Sequence, residues 1–162
     1  MADKKRIAIA SDKSGYLLKD AVAGYLKGRD DVELLDFGLN GPDESEPYDR
    51  QAPKVARAIQ TGEADRGILI CGTGQGMAIV ANKHRGIYAV VADTAFAAER
   101  GKIVNNANVL TMGGWITAPF VGVQIVGSWL DVAFTEGMED RADWLKGAYD
   151  RVQALESENF RS

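Results

Sequence analysis

The chain has 162 residues, 46% of them hydrophobic and 26% charged, with a formal net charge of −4. That length suits one domain with a real core, and an acidic chain with scattered basic residues lacks the footprint of a nucleic-acid binder. One cysteine cannot form an internal disulfide, and one histidine cannot build a several-imidazole site or a Cys/His zinc site.

In chain order, RIAIASD (6–12) reads as a strand ending in polar residues. YLLKDAVAGYLKG (16–28) has helical spacing and stops at Gly28, and VELLDFG (32–38) is a second strand. LNGPDESEPYDR (39–50) is turn-rich, and QAPKVARAIQTG (51–62) is a helix stopped by Gly62. RGILICG (66–72) is apolar at consecutive positions, as expected of a strand covered on both faces. QGMAIVANK then reads as a short helix, GIYAVVAD (86–93) as a strand, TAFAAERGKIV (94–104) as a helix and NVLTMGG (108–114) as a fifth strand. Helices over 119–134 and about 141–158 close the chain.

The basic N-terminus, MADKKRIAIASD, runs into a strand rather than a secretory apolar core. The longest apolar stretch, 115–130, contains Pro119 and is too short to span a bilayer comfortably. No membrane or nucleic-acid partner is expected, and a reducing cytoplasm is the expected location.

Strands alternating with helices predict βαβ units and a mainly parallel sheet, which binds ligands outside the carboxyl ends of its strands. Those ends carry Ser11-Asp12-Lys13, Cys71-Gly72-Thr73, Ala92-Asp93 and Met112-Gly113-Gly114. Cys71 stands where a strand gives way to GTGQG. Gly72, Gly74 and Gly76 let the backbone approach a ligand closely, and the free amides that open the next helix favour an anion or a developing oxyanion. Two readings of Cys71 stand side by side. It is a small buried hydrophobe, or it is a thiol with thiolate character at a helix start, suited to attack a carbonyl or to remove a proton from the carbon beside one. GTGQG lacks the spacing of the dinucleotide fingerprint, and no GxxxxGK[ST] loop exists, so a nucleotide sensor has little support.

Three motifs carry a resemblance: SDxxGxxLK (Ser11, Asp12, Gly15, Leu18, Lys19), EADRGILICGTGxGM (63–77) with ANK (81–83), and NNANVLTMG (105–113). Together they closely resemble the ribose-5-phosphate isomerase type B and galactose-6-phosphate isomerase family. The resemblance implies a Rossmann-like three-layer αβα sandwich with a five-stranded parallel sheet, all 162 residues forming one isomerase domain. It also implies a homodimer or homotetramer with shared active sites, the C-terminal helix packing on a partner subunit. Such proteins interconvert aldose and ketose phosphates through an enediol, with no metal and no cofactor. By position, Cys71 is the implied base and Thr73 the residue that assists ring opening. Asp12 is implied to bind substrate hydroxyls, the loop from Gly72 through Gly74 and Gln75 to Gly76 the enediolate oxygen, and Asn105, from the neighbouring subunit, the reacting end.

The departures are equally specific. The family's histidine after Asp12 is Lys13 here, its ring-opening histidine is Val104, and a phosphate-binding arginine is Trp115. A C-terminal arginine-rich segment keeps only Arg141 as an anchor. His84 falls where the family has no catalytic group and is expected to be a surface or interface residue. Lys13 could replace phosphate contacts as a point charge. Proton transfer by a placed acid is worth about 10²–10⁴-fold, and valine supplies none of it. The readings are an isomerase of ribose 5-phosphate or a similar sugar phosphate, one shifted to a short open-chain or unphosphorylated sugar, and a non-catalytic binding homologue.

Overall fold

In the computed structural model, which describes residues 4–160, five parallel strands form one sheet in the order β2-β1-β3-β5-β4. The strands are β1 (Lys5–Ser11), β2 (Val32–Asp36), β3 (Arg66–Cys71), β4 (Ala89–Val91) and β5 (Val109–Gly113). Between and after them run α1 (Tyr16–Lys27), α2 (Tyr48–Gln60), α3 (Gln75–Ala81), α4 (Ala95–Asn105), α5 (Pro119–Leu130) and α6 (Ala142–Asn159).

Period-two alternation sorts the side chains onto two faces. Ile7, Ile9, Ile68 and Ile70 pack with Leu18, Val22, Ile125 and Trp129 from α1 and α5. Ala8, Ala10, Leu69 and Cys71 face α2 and α3. The result is the expected α/β sandwich. Handedness accounts for which helix lies where: right-handed crossovers travelling in opposite directions along the sheet place their helices on opposite faces. The path from β1 steps outward to β2, then returns past β1 to β3. Ligands of such sheets bind at this reversal; Asp12 directly follows one of the two strands that flank it and Cys71 ends the other.

Three elements differ from the sequence reading by three residues or more at one end. Helix α2 begins at Tyr48, because Pro47 provides an extended residue before the first turn and Pro53 is accommodated inside the helix. Strand β4 has three residues, since the preceding segment is held by Asn108, whose side chain bonds the Tyr88 N–H and the Gly86 carbonyl. Helix α5 stops at Leu130. Helix α6 lies beside its own chain, where Glu156 accepts from the Gly86 N–H at 2.7 Å and the Tyr88 hydroxyl at 3.0 Å. No helix among the described residues is long and apolar enough to cross a membrane.

Candidate active site

Cys71 ends a strand whose side chains alternate between the two cores, and this register aims its sulfur toward α3. The residue is only 5% exposed. The residue nevertheless borders a cleft of about 310 Å³ together with Asp12, Ser14, Thr73 and Gln75. The backbone N–H of Gly74 donates to the Cys71 Sγ at 3.2 Å. Gly74 has φ +77°, and a β-carbon there would sit 2.9 Å from the Met112 backbone. Only glycine gives the turn this shape and depth.

Around the turn, the Gln75 N–H donates to the Thr73 Oγ1 at 3.4 Å. Nothing among the described residues takes up the N–H groups of Gly72, Thr73 or Gly76. Helix α3 has seven residues, so what the loop offers an oxyanion is these individual donors more than a long helix dipole. The opposite wall is Asp12. Its Oδ1 accepts from the Gly15 N–H at 3.1 Å, capping a short turn of 3₁₀ helix. Burial pushes its carboxyl above the ordinary value, against the opposing pull of the Gly15 and Ser14 amides.

Two aromatic rings stand at the ends of the glycine loop. Trp115 lies over Gly72, where a β-carbon would meet its ring at 2.7 Å, and Tyr48 lies over Gly76, where one would meet its ring at 2.9 Å. Both rings line the cleft, and Trp115 is 74% exposed.

A family model described as Ribose/Galactose Isomerase matches residues 7–144. The chain belongs to this family. It is 46% identical over 157 residues to a 4-deoxy-4-sulfo-D-erythrose isomerase of Clostridium sp. (strain MSTE9), covering 96% of this chain and 98% of the relative. It is 42% identical over 132 residues to a ribose-5-P isomerase B of Listeria innocua, covering 82% and 88%. Its fold matches a ribose-5-phosphate isomerase B of Mycoplasma genitalium, solved with bound ribulose 5-phosphate, with TM-score 0.85 at 30% identity, covering 97% and 99%.

The remaining residues singled out in this isomerase lie elsewhere. Lys13 is exposed and outside the cleft lining. Asn105 and Val104 line a separate cavity of about 280 Å³ with Tyr88 and Tyr149, between α4 and α6. Arg141 borders a third depression among Glu139, Asp140 and Asp143, a poor setting for an anion. His84 places its Nδ1 3.1 Å from the Val80 carbonyl oxygen, after α3. Of the two cations near Val104, Lys102 is buried and donates to the Asn106 Oδ1 at 2.7 Å. Burial, helped by the charge of Arg66, brings its pKa down to about 8. Arg100 stacks its guanidinium 5.4 Å from the Phe96 ring.

Sequence reasoning missed Tyr48. It fell in the turn-rich stretch, and only the early start of α2 brings it to Gly76. The signal available was the Pro-Tyr pair at 47–48, proline being common where helices begin.

Proposed function

We propose that the chain interconverts the aldose and ketose forms of a four-carbon sugar bearing an anionic group at its far end, through an enediolate, with Cys71 as base and without a metal. The observation that carries this reading is that Cys71 borders the cleft with its Sγ 3.2 Å from the Gly74 N–H, in a loop with further free amides. The thiolate takes the hydrogen from the carbinol carbon beside the carbonyl. The C–H electron pair becomes the C=C bond, and the carbonyl pair moves onto oxygen, where the loop amides face it. The sulfur then returns the proton to the other carbon while the hydroxyl proton moves between the two oxygens. Atoms and charge balance without a redox partner. Among the described residues no three His, Cys, Asp or Glu side chains converge as metal ligands.

The short sugar is favoured over a pentose phosphate by the side chains. Val104 stands where ring opening would need an acid, and it can neither donate nor accept a proton. A tetrose whose C4 oxygen is replaced or esterified cannot close a furanose ring, so it has no need of that acid. The relative named for 4-deoxy-4-sulfo-D-erythrose, similar over nearly its whole length, supports the same reading. Asn105 enters the proposal as a residue given to a neighbouring copy, because its own chain holds it in a different cavity from Cys71.

The test is turnover in D₂O with 4-deoxy-4-sulfo-D-erythrose, erythrose 4-phosphate and ribose 5-phosphate, followed by NMR. The expected result is deuterium at C1 or C2 and the highest kcat/KM for a four-carbon substrate, unaffected by chelator. A clear preference for the pentose phosphate overturns the short-sugar reading, and no exchange with any substrate overturns the isomerase reading.

A further inference from the structure

We infer that Trp115, seconded by Tyr48, selects the group at the far end of the sugar, admitting a sulfonate in preference to a phosphate; this rests on the four-carbon isomerase reading above. The argument begins with charge. Of the side chains that a single chain places around the Cys71 cleft, none is lysine or arginine, and the one carboxylate is Asp12. A phosphate monoester carries about −1.5 to −2 charge near neutral pH, and burying it without a cation is costly. A sulfonate carries a single charge spread over three weakly basic oxygens, so it needs less compensation.

The rings offer what such a group can use. The Trp115 indole N–H and the Tyr48 hydroxyl have no hydrogen-bond partner among the described residues, and both belong to rings that border the cleft. These are neutral donors, matched to a monoanion, and the ring faces suit the C–H bonds of a deoxygenated carbon next to sulfur. Position is fixed as well. The Trp115 backbone N–H donates to the Gly72 carbonyl at 3.0 Å, and the ring lies over Gly72. Any side chain substituted at 115 starts from the same anchored backbone, so an arginine there would reach over the same loop and offer a bidentate phosphate contact.

The experiment compares kcat/KM for two four-carbon substrates, 4-deoxy-4-sulfo-D-erythrose and erythrose 4-phosphate, in the wild type, Trp115→Arg and Trp115→Leu. The wild type should prefer the sulfonate. Trp115→Arg should shift the ratio toward phosphate by about 10- to 100-fold, the size of one charge-assisted contact. Trp115→Leu should lower the sulfonate value at least about tenfold without raising the phosphate value. Circular dichroism should show both variants folded, since the side chain is mostly exposed; if Trp115→Arg fails to fold, Trp115→Leu decides by the same criterion. A ratio unmoved in a folded, active variant overturns the role of Trp115 and leaves the isomerase reading standing. Absence of turnover of either substrate by the wild type overturns the reading beneath it, and this inference with it.

Discussion

The Gly114 N–H donates to the Cys71 carbonyl at 2.8 Å, so the last residue of β3 is tied to the loop that leaves β5. One residue on, the Trp115 N–H does the same to the Gly72 carbonyl. The two bonds extend the β3–β5 ladder past the end of the strands and hold Cys71 and the Trp115 ring in one frame. Placement this firm is what proton transfer between carbon atoms requires, because it depends on contact distance.

Replacing Cys71 with alanine should lower kcat by about 10³-fold or more, within the range expected for a placed proton carrier. The fold should survive, since the change removes one small buried atom. Steady-state rates and a thermal melt check both halves; retained turnover removes the thiol from the mechanism.

Gly74→Ala forces a β-carbon into a left-handed residue and toward the Met112 backbone at 2.9 Å. A cost of about 1–3 kcal/mol is expected, seen as a lower midpoint in urea. Because the same residue supplies the N–H facing Cys71, kcat should fall more than KM rises.

Asp12 gives a pH test. Its folded-state carboxyl is raised above the ordinary 3.8, first by burial. The folded protein therefore holds this proton more tightly than the unfolded chain. The stabilisation is complete below the unfolded value and disappears as pH rises through the folded one, above which the buried carboxylate opposes folding. Asp12→Asn should thus gain stability relative to the wild type on going from pH 3 to pH 7. Where an ionised Asp12 is needed to hold substrate hydroxyls, its raised carboxyl should contribute to the acidic limb of kcat/KM, and that contribution should be missing in Asp12→Asn. Urea titrations at both pH values and a pH–rate profile read the two effects.

Lys19 is 3% exposed, and its Nζ meets the Asp36 Oδ1 at 2.7 Å and the Leu39 carbonyl at 2.6 Å. Lys19→Met removes the ammonium from a carboxylate that keeps the Gly38 N–H and from the Leu39 carbonyl, and should cost about 3 kcal/mol, measured by chemical denaturation. An unchanged midpoint would mean that water replaces the ammonium at no cost.

The proposal that a neighbouring copy supplies Asn105 predicts complementation. Cys71→Ala and Asn105→Ala should each be impaired alone, yet recover activity when co-refolded, because a mixed dimer contains one site with both residues intact. No recovery would return Asn105 to a role within its own chain.

Much of this was legible before the fold. The apolar runs of β1 and β3 and the glycine after each polar strand end placed Asp12 and Cys71 together, since a parallel sheet brings its carboxyl ends to one edge. Tyr48 was not legible, because an aromatic residue in an acidic, proline-containing stretch says nothing about the turn it will face. Nor could spacing tell that Asn105 and Arg141 lie outside the Cys71 cleft of their own chain. Motif order records positions along a backbone, and says nothing about which surfaces end up facing one another.

The rings on Gly72 and Gly76 come from segments other than β3, one from the start of α2 and one from the loop after β5. The thiol and the ring proposed to judge the tail of the molecule thus belong to different segments of chain, joined only through main-chain bonds. A side chain exchanged at position 115 can therefore change what the rim accepts without moving the main chain that carries Cys71.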